Sequence, residues 1–444
     1  MFFKQFYDNH LSQSSYLVGC QRTGEAMIID PVRDLSKYIE IADAEGFTIT
    51  QAAETHIHAD YASGIRDVAE KLNTTIYVSG EGEETLGYKN MPESTRFVKH
   101  NDTIYVGNIK LEVLHTPGHT PESVSYLLTD EGGGSHVPMG LFSGDFIFVG
   151  DVGRPDLLEK AVQVHGSTEV GAKQMFQSIK SVEKLPDFIQ IWPGHGAGSP
   201  CGKALGAVPT STLGYERENN WAFNEKDEAS FIEKLTSDQP APPHHFAQMK
   251  KINQFGMNLY QPYQVYPTTD KYKLAFDLRS KEAYHGGHIK GTINIPYNKS
   301  FINQIGWYLD YDKEINLIGD KDTVEQAAHT LQLVGFDSVT GYLLPKSEVQ
   351  TQSIHSMNIT GNESHVLDVR NDSEWNNGHL SQAVHIPHGK LLEASIPFDK
   401  DEKIYVHCQS GVRSSIAVGI LESKGYSNIV NISEGYNGFP STLK

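Results

Sequence analysis

The stretch Glu54-Thr-His56-Ile-His58-Ala-Asp60 follows directly on the strand-like run Thr48-Ile-Thr-Gln-Ala-Ala53. A strand fixes its backbone, so the turn after it presents two imidazoles and a carboxylate at set positions. Three more turns of this kind occur along the chain. They are Thr116-Pro-Gly-His119-Thr after Ile109-Lys-Leu-Glu-Val-Leu114, then Phe142-Ser-Gly-Asp145, then Trp192-Pro-Gly-His195-Gly. Any one of these histidines alone reads as a satisfied core or surface residue. Four such turns at strand ends read together as a metal site.

Outward from these turns, residues 1 to 245 alternate strands and helices. Ala26-Met-Ile-Ile-Asp30 reads as a short apolar strand, Leu35 to Glu45 as a helix before Gly46, and Tyr61 to Leu72 as a helix capped by Asp60. The proline-rich Asp238-Gln-Pro-Ala-Pro-Pro-His-His245 ends this periodic region. After residue 260 the chain repeats. Asp277-Leu-Arg279 returns as Asp368-Val-Arg370, His288-Ile as His379-Leu, and Ile295-Pro296 as Ile386-Pro387, each pair 91 residues apart. Two copies of one α/β unit with a mostly parallel sheet are expected, over 260–350 and 355–444, with a short polar join near Gln350 to Thr360.

A chain of 444 residues is long enough for two or three separate cores. Hydrophobic residues are 38%, charged residues 21% and mean hydropathy is −0.40, which suits a globular protein in water. The net charge of −18 argues against nucleic acid or an anionic membrane as partner. No apolar run approaches a bilayer span, and Met1-Phe-Phe-Lys-Gln-Phe-Tyr-Asp8 has no export pattern. Three cysteines make no disulfide framework, so a reducing cytoplasmic location is expected.

The four turns resemble those of the metallo-β-lactamase fold, an α/β/β/α sandwich with metal at the sheet edge. Dinuclear members extend the first turn to His-x-His-x-Asp-His, and here Tyr61 stands at the last position. The resemblance narrows at Gly150-Asp-Val-Gly-Arg154-Pro-Asp, which is similar to a motif of persulfide dioxygenases. It implies one non-haem Fe(II) held by His56, His119 and Asp145, a set of two imidazoles and one carboxylate with open positions. His58, Asp60 and His195 would then orient the ligands. Arg154 reads either as attracting an anionic persulfide or as a surface ion pair. Cys201, six residues after His195, reads either as a persulfide-handling thiol near the mouth of the site, its pKa lowered by cations, or as a packed turn residue. Cys20 reads as core.

Near the end of the chain, Lys403-Ile-Tyr-Val-His is a strand, Ser414 to Gly425 a helix, and Cys408-Gln409-Ser410-Gly411-Val412-Arg413 the loop between them. Backbone N–H groups curling round the sulfur at a helix N-terminus favour a thiolate and then an anionic persulfide, with Arg413 adding charge. Cysteine phosphatases place five residues between Cys and Arg; here four intervene, a ring suited to one sulfur atom. The copy resembles an active rhodanese. The first copy has Gly319-Asp-Lys-Asp-Thr-Val324 at this place, with neither Cys nor Arg, and resembles a rhodanese without its chemistry.

The domain order resembles CstB-type persulfide dioxygenase–sulfurtransferases. That resemblance implies low-molecular-weight thiol persulfides, O₂ and sulfite as partners, and a homo-oligomer is expected. Cys408 would carry sulfane sulfur to sulfite. The alternative is a glyoxalase-II-like thioester hydrolase fused to a rhodanese, which needs two metals.

Overall fold

The computed structural model describes residues 1–440 except 83, 163, 204, 271–272, 346–350, 353 and 358. One compact unit comprises Met1–Gln261 with Gln332–Gly335. Its first sheet runs in order β1 (Phe2–Asp8), β2 (Gln13–Cys20), β3 (Glu25–Ile29), β4 (Thr48–Ala53), β5 (Thr75–Ser79) and β6 (Thr95–Val98). Its second consists of β7 (Thr103–Val106), β8 (Ile109–His115), β9 (Val124–Asp130), β10 (Gly140–Gly144), β11 (Gln190–Pro193) and β12 (Ser211–Thr212), neighbours in that order.

Strand periodicity explains the layering. Tyr126, Leu128, Phe142 and Trp192 face inward and meet Val18, Met27 and Ile29 of the first sheet. Their neighbours Leu127, Leu141 and Ile191 point outward and are covered by Met175, Phe176 and Ile179 of the helix Ser167–Ser181. Helices Ser36–Ala44 and Ile65–Leu72 pack on β4 of the other sheet. The result is the expected α/β/β/α sandwich, with both faces of the central strands buried.

Two sequence expectations change here. The helix after the His-x-His turn starts at Ile65 with Gly64 as its cap residue, not at Tyr61. Asp60 lies outside the helix and does not cap it; its Oδ2 accepts from His195 instead. The unit also runs past residue 245. The proline-rich stretch leads into a further helix, His245–Phe255, which packs back on the turn. Asn253 Nδ2 donates to the carbonyls of His58 (2.9 Å) and Tyr61 (2.7 Å).

The second unit starts at Pro262. Among the described residues it holds two parallel sheets and a two-stranded antiparallel pair, His288–Ile289 with Thr351–Gln352. Strands Ile293–Asn294, Ala275–Asp277, Ile315–Ile318 and Val339–Leu343 lie side by side, all parallel. So do His355–Met357, Ile429–Ile432, Ile404–His407, Val366–Asp368 and Ala383–His385. Residue 350, at the expected join, and residue 444, at the expected end, lie outside the described residues. Among the described residues no helix is long and apolar enough to cross a membrane.

Candidate active sites

Asp30, the residue after β3, organises the first site. Its N–H donates to the Ala53 carbonyl (2.9 Å), and its carboxylate accepts from Thr55 N (2.8 Å) and Thr55 Oγ1 (3.0 Å). The Thr55 hydroxyl proton is thereby spent, so the hydrogen bond to His56 Nδ1 (3.0 Å) takes its proton from the ring. His56 Nε2 is left as a lone pair. His119 Nδ1 donates to the Arg154 carbonyl (2.9 Å), which leaves its Nε2 in the same state. Asp145 Oδ2 lies 3.8 Å from His56 Nε2 and 3.5 Å from His119 Nε2. All three atoms are buried and lack a hydrogen-bond partner.

The electrostatics agree with this tautomer assignment. Burial, then His58, holds His56 well below the usual histidine range, and burial brings His119 down to about 4, so both rings are neutral. Burial pushes Asp145 up, but the charge of His195, with its hydrogen bond, outweighs it and holds the carboxyl well below its ordinary value. Three unpartnered ligand atoms facing one another are costly in a dry interior unless a cation lies among them. The His56–His119–Asp145 group fits a metal ion on these grounds. Gly153 makes room for it. A Cβ there would collide with the Asp145 carbonyl and lie 2.9 Å from His119 Cβ.

A second group, Asp60, His195 and Cys201, also brings its ligand atoms within 4.8 Å of one another. Its histidine is already committed. His195 Nε2 donates to Asp60 Oδ2 (2.6 Å) and Nδ1 to Asp145 Oδ1 (2.7 Å). Burial opposes the charge, but Asp145 and Asp60 raise His195 well above its usual value, so an imidazolium is clamped between two carboxylates. Tyr61 is buried, kept a neutral phenol by that burial, and its hydroxyl donates to the Asp30 carbonyl (3.3 Å). His58 turns to Asp30 Oδ1 (3.4 Å), its ring centroid 4.1 Å from that of His56.

The structure places both Arg154 and Cys201 in the protein interior. The Arg154 guanidinium is fully buried and saturated by Asp156 (2.7 and 2.6 Å) and the carbonyls of Pro200 (3.2 Å) and Pro240 (2.6 Å). It is neither a free anion anchor nor a surface pair; its backbone carbonyl sets the His119 tautomer. Cys201 is also fully buried, among Ala59, Phe148, Leu157 and Phe246. Burial, then Asp145 and Asp60, raises its pKa well above the ordinary thiol value. It is a protonated thiol whose sulfur lies beside Asp60 and His195.

Sequence reading missed the residues that hold the turn. Ile57 N donates to Glu122 Oε1 (2.8 Å), and the Ile57 carbonyl accepts from the buried Lys250 ammonium. Asp30 had a local signal, an Asp-Pro step at a strand end. Lys250, about two hundred residues from its partner, had none.

At the second site, Cys408 ends the strand Ile404–His407 and the helix Val412–Ser423 starts four residues later. Gly411 N donates to Cys408 Sγ (3.1 Å), and Gly411 takes φ +85°, which favours glycine at this bend. Cys408 is fully buried; Ser410 and Val412 are exposed. Gln409 accepts from Arg370 Nη1 (3.3 Å) and donates to Asn437 Oδ1 (2.5 Å), so it braces the loop. Arg413 lies within electrostatic reach of the sulfur, but its guanidinium is held in a two-point pair by Glu374 (2.5 and 2.7 Å). Its charge is therefore partly spent inside the protein.

Residues 8–195 match the profile of the metallo-beta-lactamase superfamily, and residues 263–343 and 351–442 each match the rhodanese-like domain. The crystal structure of a metallo-beta-lactamase from Staphylococcus aureus subsp. aureus COL is 78% identical, covers 78% of this chain and 99% of that one, and superposes with a TM-score of 0.76. Hydroxyacylglutathione hydrolase of Dictyostelium discoideum is 30% identical over 243 residues, 54% of this chain and 81% of that protein. ETHE1 from Myxococcus xanthus is 26% identical over 57% of this chain and 98% of that one, at a TM-score of 0.47. The chain belongs to the metallo-β-lactamase superfamily and carries two rhodanese-like domains after its sandwich.

Proposed function

We propose that the chain is a CstB-type persulfide dioxygenase–sulfurtransferase. In the first reaction a thiol persulfide, O₂ and water give thiol, sulfite and two protons. In the second, sulfane sulfur passes through Cys408 to sulfite and gives thiosulfate. The observation that carries this reading is the contrast between the two ligand clusters. One has three free ligand atoms on two neutral imidazoles and a carboxylate; in the other both nitrogens of His195 are taken up by Asp60 and Asp145, beside Tyr61 where dinuclear members have histidine. That contrast favours one metal, and the donor set suits Fe(II). Bound there, Fe(II) would supply O₂ activation beside the persulfide sulfur. The protein's own part is to keep His56 and His119 neutral, to aim Asp145 Oδ2, and to hold water out of a fully buried site.

A thioester hydrolase is the second reading. It is favoured by the name of the 30% identical relative and by the proximity of Asp60, His195 and Cys201. Elemental analysis of anaerobically purified protein, combined with oxygen uptake on persulfides of coenzyme A, glutathione, bacillithiol and cysteine, separates the two. One iron per chain and O₂-dependent sulfite formation are expected. Two zinc ions with hydrolysis of a glutathione thioester would overturn the proposal.

A further inference from the structure

We propose that the first rhodanese-like copy, which lacks a thiol, supplies the binding subsite for the sulfur oxyanion that discharges Cys408, with Lys281 as its counter-charge. This rests on the reading of Cys408 as a sulfur carrier. A cavity of about 180 Å³ lies against the Cys408 helix, lined on one side by Val412 and Ser415 and on the other by Lys281, Asn294, Asn298 and Gln304 of the first copy. Lys281 Nζ lies 3.1 Å from where a Cβ on Gly411 would stand, and Gly411 is the residue whose N–H meets Cys408 Sγ. Among the described residues no carboxylate forms an ion pair with Lys281, unlike Arg413, which Glu374 neutralises. The buried Gln304 Oε1 has no hydrogen-bond partner, so this amide is free to rotate and offer its N–H₂. The first copy also reaches the thiol from another direction. Its buried Tyr308 hydroxyl shares a hydrogen bond with His388 Nδ1 (2.8 Å) and lies within electrostatic reach of Arg413 and Cys408.

The volume and the single lysine suit a small dianion such as sulfite and leave no room for a nucleotide or a peptide. In the step served, the sulfite sulfur lone pair attacks the outer sulfur of the Cys408 persulfide. A new S–S bond forms, the old one breaks, and its electron pair returns to Cys408 Sγ as thiolate. Charge is conserved, at −3 before and after.

The test uses the full chain, loaded with sulfur on Cys408 from glutathione persulfide and freed of excess donor. Discharge is followed in single turnover with sulfite or with dithiothreitol, a neutral acceptor that does not need the lysine. In Lys281→Gln, discharge by sulfite should slow about tenfold, the effect of one charge-assisted contact, while discharge by dithiothreitol stays within about twofold. Lys281→Arg should recover most of the sulfite rate. Equal sulfite rates in wild type and Lys281→Gln, or equal slowing with both acceptors, would overturn the subsite while leaving the sulfur-carrier reading intact. Absence of a persulfide mass on Cys408 after loading would overturn the sulfur-carrier reading, and the subsite with it.

Discussion

In the first rhodanese-like copy Asp277 holds Arg279 at two points (3.0 and 2.7 Å), and Arg279 reaches the Gly287 carbonyl (3.1 Å). In the second, Asp368 holds Arg370 through the same atoms (3.1 and 2.7 Å), and Arg370 reaches the Gly378 carbonyl (2.7 Å). The clasp is common to both copies, and the loop it faces is not. In the second copy Arg370 extends a further hydrogen bond to Gln409 and steadies the Cys408 loop. In the first, Asp320 folds back on its own helix, accepting from Thr323 N (3.0 Å) and Oγ1 (2.9 Å), as a helix cap does. A nest of N–H groups and a capping carboxylate are alternative uses of the same strand-to-helix turn. The scaffold is the same with and without a thiol because the residues that form the clasp are not those that surround the sulfur.

The largest effect expected from this contrast is at Cys408. Cys408→Ser should lower enzymatic thiosulfate formation by a thousandfold or more, on the order expected for removal of a nucleophile. Oxygen uptake with persulfide should continue and sulfite should accumulate. Thiosulfate output that survives correction for the spontaneous reaction of sulfite with persulfide would break the comparison at its root.

The two clasps offer a sharper contrast. Lysine cannot reproduce two-point pairing. Arg370→Lys should cost about 1–3 kcal/mol in thermal or denaturant unfolding and slow sulfur transfer about tenfold through Gln409. Arg279→Lys should reduce stability with sulfur transfer within about twofold. Equal transfer losses in both variants would mean that the clasp acts through general stability alone.

A pH effect is expected next. Burial, then Lys281 and His288, brings His285 down to about 4, and its Nε2 is paired with Ser415 Oγ (2.6 Å). The folded state keeps this ring neutral, whereas the unfolded chain protonates it near 6.5. Its contribution is therefore complete above pH 6.5 and is lost as pH falls toward 4. His285→Asn should flatten that part of the Tm-against-pH curve, read by calorimetry. A curve of unchanged slope would assign the acid sensitivity elsewhere. The smallest effect belongs to Asp320→Ala in the silent loop: a loss of about 1 kcal/mol for the helix cap, and no change in sulfur transfer from persulfide to sulfite.

The sequence discloses those parts of this molecule whose cause is local. Strand-end turns put His56, His119, Asp145 and His195 where periodicity alone says a sheet edge should be, and the Cys408 loop follows from its strand, glycine and helix. Environments set by distant residues were not legible. Arg154 looked like an available cation because Pro200 and Pro240, which saturate it, are far away in sequence. Cys201 suggested a reactive thiol because nothing nearby in the chain announces Asp60 and Asp145 as its neighbours. Asp60 had the chemistry of a helix cap, and only the fold reveals that the helix starts at Ile65 and that Asp60 Oδ2 serves His195. Residue type identifies what a side chain is able to do; the partners that use up that capacity come from across the sheets.

The grip of Lys250 on the Ile57 carbonyl has a consequence for how this protein is made. The two partners are 193 residues apart. At synthesis rates of about 5–20 residues per second, roughly ten to forty seconds pass between the emergence of the His56 turn and that of its clasp. During that interval Glu122 is missing for part of the time and Asn253 throughout, and His119, Asp145 and His195 arrive one after another. The nascent chain thus exposes histidines before it can enforce their geometry. The turn is clasped only once the helix His245–Phe255 has emerged and packed against it.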